Sequence, residues 1–145
     1  MTGDLTPTTT SSARSLVTNR PLVVRQGERR PATGLPVGSA GEEAFSDDGG
    51  WVGYLSLEPG AASGWHHHGA WDSYACVLRG ALRWEFGHDG GDAVVVEPGD
   101  TARMPAGVVH RDVSAGDETL ELILFRAGTG PLTINVDGPN GGEAA

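Results

Sequence analysis

Glycine and proline divide this chain into short segments, and that division constrains the fold more than any other feature of the sequence. The 145 residues include 23 Gly and 9 Pro. Helices tolerate few of either residue, whereas an all-β domain needs both at its many tight turns. No long stretch shows a clean helical period of about 3.6 residues. The sequence therefore predicts an all-β domain, arranged as a sandwich or a barrel.

Segments rich in β-branched and aromatic residues lie between the turn signals, at the spacing expected of antiparallel strands. In one of them, Leu120, Leu122 and Leu124 alternate with other side chains, which is typical of a strand with one buried face. The predicted strands cover residues 21–24, 51–58, 73–79, 81–86, 93–97, 101–104, 108–113, 118–126 and 132–136.

The length is that of a single domain, long enough to bury a core of its own. Residues 1–19 are rich in Thr and Ser and offer almost nothing to bury, so we expect a disordered N-terminal arm there. By the same argument residues 138–145 form a flexible C-terminal tail. The folded domain is expected over residues 20–137.

The charge balance limits the classes of partner. Ten basic residues, all of them Arg, stand against 19 acidic residues, for a formal net charge of −9. An acidic surface repels phosphate backbones and anionic lipids, so we expect no nucleic-acid partner and no membrane partner. The sequence shows neither a signal-peptide pattern nor a long apolar run, which favours a cytoplasmic location. Cys76, the single cysteine, cannot form an internal disulfide.

One predicted strand is apolar on both of its faces. Tyr74, Cys76 and Leu78 share one face, and Ala75 and Val77 share the other. A strand with two apolar faces needs a second layer or another subunit over its outer face. This pattern predicts a homodimer.

The run 66–68 consists of three consecutive histidines. On an extended strand His66 and His68 point to the same face and His67 to the other. Two imidazoles on one face form a two-ligand pincer for a metal ion, although the same spacing also occurs in histidines that only pack or face solvent.

The spacing around these histidines resembles the two sequence motifs of the cupin superfamily. In the first block, Gly60 precedes His66 by five intervening residues, and the block closes at Gly80. In the second block, Gly99 is followed after five residues by the turn 105–107 and then by His110. The resemblance implies a cupin-type double-stranded β-helix, a jelly-roll barrel of antiparallel strands. It also implies that His66, His68 and His110 hold one divalent metal ion per subunit, whereas His67 and the loop residue His88 do not.

The first block departs from the cupin pattern at one ligand position. Metal-binding cupins usually carry a Glu between the paired histidines and the closing glycine, and the matching position here is Ser73. The adjacent Asp72 is a carboxylate but is one position away, so it is only a candidate fourth ligand. In the second block, the Asn that often closes the motif is replaced by Ser114.

Three neutral imidazoles leave a divalent ion with its full charge and with open coordination positions. Such a site favours a small, anionic, chelating organic substrate. Fe²⁺ is the favoured ion, with Zn²⁺, Mn²⁺ or Ni²⁺ as alternatives. Glu85 is a candidate general base. The candidate residues of the substrate pocket are Ser73, Ala75, Val77, Trp84 and Met104.

Three functions agree with these features. The first is a non-haem Fe(II) dioxygenase with a three-His site. The second is a redox-silent Zn, Mn or Ni cupin that acts as a polyketide-type cyclase, isomerase, lyase or decarboxylase. The third is a non-catalytic cupin that binds a small molecule. The fold alone does not separate these functions, because one barrel hosts many activities.

Overall fold

A computed structural model describes residues 19–141 of the chain, which form eleven β-strands and two short 3₁₀ turns. The described part contains no α-helix, in agreement with the predicted all-β class. The predicted N-terminal arm lies outside the described residues except for residue 19, as do residues 142–145 of the predicted tail. In residues 138–141 the chain makes a turn, and Asn140 bonds to Asp89.

The strands form two antiparallel sheets that face each other. The six-stranded sheet has the order β1-β2-β3-β10-β5-β8, and the five-stranded sheet has the order β11-β4-β9-β6-β7. The strands are β1 (Arg30–Pro31), β2 (Ala40–Asp47), β3 (Gly50–Leu57), β4 (His66–His67), β5 (Asp72–Arg79), β6 (Leu82–Phe86), β7 (Asp92–Val96), β8 (Thr101–Met104), β9 (His110–Ser114), β10 (Leu120–Ala127) and β11 (Ile134–Asn135).

The core lies between the two sheets and follows the period-two alternation of the strands. In β10, Leu120, Leu122 and Leu124 are all buried, as their alternation predicts, and Arg126 continues the same inward row. On β3 the inward residues include Trp51 and Leu55. The inner faces of β3, β10 and β5 therefore form one wall of the barrel.

Two glycines of the sequence motifs occupy backbone conformations that other residues adopt only with strain. Gly80 has φ of +78° in the turn from β5 to β6, and a Cβ there would lie 2.8 Å from the Thr119 carbonyl oxygen. Gly107 also has φ of +78°, in the turn that leads into β9. Both turns require the left-handed region that glycine enters readily. The turn at Gly107 ends just before β9, whose first residue is His110.

One predicted strand is absent from the structure, and β1 and β2 were not predicted. Residues 21–24 form no strand, because their apolar side chains have no sheet partner and Val23 is exposed. β2 is the longer of these two strands. Its sequence carries several polar and charged residues, and Ala44 is its one buried residue, because β2 lies near the edge of the sheet, between β1 and β3.

The outer face of the six-stranded sheet keeps large apolar side chains in contact with solvent. Tyr74, Leu78 and Phe125 are 38 %, 54 % and 42 % exposed, and Tyr74 pairs with Phe125 across β5 and β10. Arg29 lies over Tyr54 at one side of this face, with its Cζ 3.3 Å from the ring centroid. Within residues 19–141, no helix has the length and hydropathy needed to cross a bilayer.

Candidate metal centre

Three buried histidines lie close together on the inner face of the five-stranded sheet. His66 on β4 pairs directly with His110, the first residue of β9, and His68 follows two residues after His66 on the same face. One ligand nitrogen from each ring lies within 4.8 Å of the other two. The ring centroids are 4.4 to 5.1 Å apart. The predicted pincer and the predicted third histidine therefore form one cluster.

A backbone carbonyl fixes the orientation of each of the three rings. The Nδ1 atoms of His66, His68 and His110 each lie 2.8 Å from a carbonyl oxygen, those of Gly64, Leu132 and Val108 respectively. A carbonyl only accepts hydrogen bonds, so each neutral ring carries its proton on Nδ1. The lone pair of each Nε2 is thus left free to bind a metal.

The surroundings also keep these rings uncharged. Burial lowers the pKa of His68 to about 2 and that of His110 to about 4, and the Arg126 guanidinium adds to both shifts. Burial lowers the pKa of His66 as well, against the opposing effect of Asp112. At neutral pH all three imidazoles are in the deprotonated form that binds metals.

The chemistry of the cluster fits a divalent metal ion. The buried Nε2 of His66 has no hydrogen-bond partner, and an unsatisfied buried nitrogen is unfavourable unless another group binds it. Neutral imidazole is a suitable ligand for Fe, Zn and Ni. His66, His68 and His110 could therefore hold one ion between them.

Asp112 places a buried carboxylate beside two of the three histidines. Its two oxygens lie 3.8 Å from His66 Nε2 and from His110 Nε2, which is too long for a hydrogen bond. Two metal–ligand bonds of about 2.1 Å each are together longer than this separation between nitrogen and oxygen. An ion bound to these nitrogens would therefore lie close to the Asp112 carboxylate. Trp84 Nε1 donates a hydrogen bond of 2.8 Å to Asp112 and holds the carboxylate in place. Asp112 is thus a buried acidic group beside the metal ligands.

Arg126 brings a buried positive charge to the other side of the cluster. Its side chain is only 4 % exposed, and its Nη1 donates a hydrogen bond of 3.3 Å to the Leu132 carbonyl, the same oxygen that accepts from His68. Burial lowers the pKa of Arg126 to about 10, so the guanidinium remains charged at neutral pH. The site therefore combines neutral metal ligands with one carboxylate and one guanidinium.

Sequence reasoning did not select Asp112 or Arg126, although strand periodicity could have found both. Asp112 is two residues after His110 on β9 and therefore shares its inward face. Arg126 is two residues after Leu124, the last member of the buried leucine row of β10. Charged residues on an inward face of a strand are uncommon enough to be noted as candidate site residues.

A small cavity lies between the histidines and the six-stranded sheet. Of the predicted pocket residues, Ser73, Trp84 and Met104 line it. Ala75 and Val77 are buried in the hydrophobic core further along β5 and are not among the lining residues. These two predicted pocket residues are therefore corrected. Leucines including Leu82, Leu122 and Leu124 close the cavity. The volume that the centre of a water molecule can occupy inside it is about 10 Å³, so the cavity has room for roughly one water.

The structure does not bring Asp72 to the histidines, so its candidacy as a fourth ligand is corrected. Asp72 accepts hydrogen bonds from Ala106 N and Arg103, and these contacts lower the pKa of its carboxyl group. Ser73, the next residue on β5, is the buried one of the pair. Neighbouring residues of a strand point to opposite faces, so Ser73 faces the cavity and Asp72 does not.

Glu85 is also away from the cavity, which corrects its role as a candidate general base. It follows the inward-facing Trp84 on β6, so its side chain points to the outer face of the sheet. There it forms ion pairs of 2.8 Å with Arg83 and 2.7 Å with Arg111. These partners lower the pKa of the Glu85 carboxyl group, which makes it a weaker base.

The remaining two histidines lie outside the cluster. His67 accepts a hydrogen bond from the backbone N–H of Gly69 through its Nδ1. His88 is exposed and contacts Asp89. Neither residue belongs to the group of side chains that could share one ion.

Comparison with known families and structures identifies the class of protein. Residues 53–126, about half of the chain, match the family described as Cupin domain. The chain therefore belongs to the cupin family, as the two sequence motifs predict. No curated protein matches this chain in sequence.

Solved structures share the fold at low sequence identity. A double-stranded β-helix protein from Klebsiella pneumoniae is 21 % identical, with a TM-score of 0.60 over 80 % of this chain and 96 % of that one. The polyketide cyclase RemF from Streptomyces resistomycificus is 18 % identical, with a TM-score of 0.66 over 81 % and 86 %. An oxalate oxidase is 22 % identical, with a TM-score of 0.63 over 84 % and 67 %. These similarities confirm the jelly-roll architecture, and the three-histidine cluster within it supports a metal-binding cupin.

Proposed function

We propose that this protein is a metal-dependent cupin enzyme that acts on a small, anionic, chelating organic molecule, with dioxygenation at Fe(II) as its reaction. One observation carries the proposal. Three buried imidazoles already point their free Nε2 atoms at one another, because three carbonyls hold their Nδ1 protons. When bound there, a divalent ion supplies a Lewis acid, and Fe(II) also supplies electrons to dioxygen.

The rest of the site suits an anion that binds beside the ion. Arg126 contributes a positive charge, and the leucines around the cavity exclude bulk water. Removal of water strengthens the attraction between an anionic substrate and these charges. Iron is the first choice because imidazole ligands suit it and because a neutral ligand set leaves positions for two further donors.

A second candidate is a redox-silent Zn, Mn or Ni enzyme that catalyses cyclisation, isomerisation, elimination or decarboxylation. Asp112 is the observation that favours it. Its carboxylate lies 3.8 Å from two ligand nitrogens, where it could accept a proton from a substrate and return it. This chemistry needs an acid–base group beside the metal and no electron transfer.

The first experiment is a measurement of metal content on untagged protein, prepared without oxygen and with iron and zinc both offered. About one iron per subunit, together with oxygen uptake on diketones, catechols or thiols, would support the dioxygenase. Bound zinc, manganese or nickel without oxygen uptake would favour the second candidate. A protein that binds no metal would contradict both enzyme proposals and leave a small-molecule-binding cupin.

Histidine variants test the ligand set directly. We expect His66→Ala, His68→Ala and His110→Ala each to remove most of the bound metal, because each deletes one of three ligands. His67→Ala and His88→Ala are the matched controls and should keep a full equivalent, as measured by mass spectrometry. If His110→Ala retained a full equivalent of metal, the assigned ligand set would be incorrect.

A further inference from the structure

The guanidinium of Arg126 is buried without a direct ion-pair partner, and the only charge that opposes the effect of burial on its pKa is that of Asp112 across the same cavity. Among residues 19–141 no carboxylate forms a salt bridge with it, and its Nε has no hydrogen-bond partner. Its contacts are the long hydrogen bond to the Leu132 carbonyl and the ring of Trp51, whose centroid lies 5.1 Å away. A buried charge of this kind is unfavourable unless an anion pairs with it. The Nε–H of Arg126 is therefore a buried donor that no group of residues 19–141 satisfies.

The residue next to Arg126 across the sheet is also unsatisfied. Ser73 on β5 pairs in register with Arg126 on β10, so both side chains project from the same face into the cavity. Ser73 is buried, and its Oγ has no partner. A hydroxyl and a guanidinium side by side offer several hydrogen-bond donors in one direction and no negative charge.

A shared cavity places these donors close to the metal ligands. Arg126 and Ser73 line the same cavity as His68 and His110. Asp112 lies on the side of His66 and His110, whereas Arg126 shares its carbonyl acceptor with His68. With Asp112 ionised, its charge and that of Arg126 cancel, and a divalent ion leaves the site with an excess charge of about +2.

We propose that Arg126 and Ser73 bind the carboxylate group of a small organic acid at the cavity beside the three histidines. The planar guanidinium matches a carboxylate in a fork of two parallel hydrogen bonds, and the Ser73 hydroxyl donates a third. As a statement about substrate class this rests on the proposed function. The carboxylate-binding site itself needs no metal, because its donors belong to β5 and β10. The cavity has roughly the space of one water molecule, so a carboxylate enters only when the surrounding side chains shift. Formate and acetate are the probes that demand the smallest shift.

The test compares anions with neutral molecules of the same shape. Formate and acetate are titrated against the wild-type protein, both metal-free and loaded with zinc, and the shift of Tm is recorded at constant ionic strength. Formamide and acetamide are the neutral counterparts. We expect a saturable rise of Tm with the acids in both metal states and none with the amides, because a ligand that binds only the folded protein stabilises it.

Two variants locate the effect. Arg126→Met should abolish the rise of Tm, and Arg126→Lys should weaken binding by about tenfold to hundredfold because it keeps the charge but loses the fork. Arg83→Met removes an exposed arginine far from the cavity and should respond like the wild type. Arg126→Met should also bind Zn²⁺ more tightly, since it deletes a positive charge beside the ligands. Should Arg126→Met fail to fold, the lysine variant carries the same comparison.

Several outcomes would overturn the assignment. They are a wild-type protein that responds to neither acid, amides that act as strongly as acids, and an Arg126→Lys or Arg126→Met variant with wild-type affinity for the acids. Absence of zinc binding would contradict the proposed metal-dependent function instead. In that case the metal-free titrations still decide the role of Arg126.

Discussion

The ring of each ligating histidine is held by one hydrogen bond from its Nδ1 to a backbone carbonyl. Those carbonyls belong to residues 64, 108 and 132, so their positions depend on turns and on the segment after β10 rather than on the histidines themselves. Preorganised ligands lose little conformational freedom when an ion binds. At the scale of single residues, the metal site is therefore a property of the backbone as much as of the imidazoles.

Asp112→Asn tests whether the buried carboxylate contributes to metal binding. The amide oxygen can still accept the hydrogen bond from Trp84 Nε1, so the fold should be preserved while the negative charge is lost. We expect the affinity for Zn²⁺ to fall by about tenfold to hundredfold, measured by competition with a chelator. An unchanged affinity would show that Asp112 neither binds the ion nor acts on it electrostatically.

The lowered pKa values of the histidines predict how metal affinity depends on pH. A histidine with its ordinary pKa begins to lose metal to protons near pH 6.5. Here the pKa is about 4 for His110 and about 2 for His68, so protons do not compete until the pH is far lower. We expect the Zn²⁺ dissociation constant to stay constant from about pH 7.5 to about pH 5.5. A steep weakening that already starts near pH 6.5 would contradict this expectation.

At the scale of strands and turns, the sequence predicted the residues with a repeating pattern and missed those without one. The leucine row of β10 and the strands around it follow from alternation, and His66, His68 and His110 follow from motif spacing. β2 has no such pattern, because it lies near the edge of the sheet and buries only Ala44. Asp72 and Glu85 were chosen by residue type, and each proved to be on the opposite face from its inward neighbour.

The turn at Gly80 offers a stability test at this scale. Gly80→Ala would place its Cβ 2.8 Å from the Thr119 carbonyl oxygen and 2.9 Å from Leu120 Cα, at φ of +78°. Gly99→Ala is the matched control, since φ there is +95° and no atom lies within 4 Å. Both variants carry the strain of positive φ, about 1–2 kcal/mol. We expect Gly80→Ala to lose about 1–3 kcal/mol more through the clash, measured by urea unfolding. Equal losses would mean that the turn relaxes freely.

At the scale of the whole molecule, the exposed apolar face of the six-stranded sheet is a candidate interface. Tyr74 pairs with Phe125 there, and Leu78 is exposed on the same face four residues further along β5. Large exposed apolar patches mark interaction surfaces. A second copy of the chain is the partner we propose, because a sheet face of this kind can pack on itself about a two-fold axis.

Light scattering tests the homodimer. We expect a mass about twice 15.0 kDa at micromolar concentration, and a monomer for Phe125→Glu, because the charge would be buried in the interface. Val95→Glu is the control, since Val95 is equally apolar and exposed but lies on the edge strand β7 of the other sheet. A wild-type mass near 15.0 kDa would exclude the dimer at that concentration.

The residues that form the metal site extend beyond the C-terminal limit of the match to the cupin family. The cupin match ends at residue 126, yet the Leu132 carbonyl orients both His68 and Arg126, and β11 pairs with the strand that carries His66. A fragment that ends at residue 126 would keep strands β1 to β9 and all of β10 except Ala127, and it would still lose the acceptor that sets the tautomer of His68. We expect such a fragment to fold and yet bind metal poorly, which would make the smallest metal-binding unit of this protein longer than its recognisable domain.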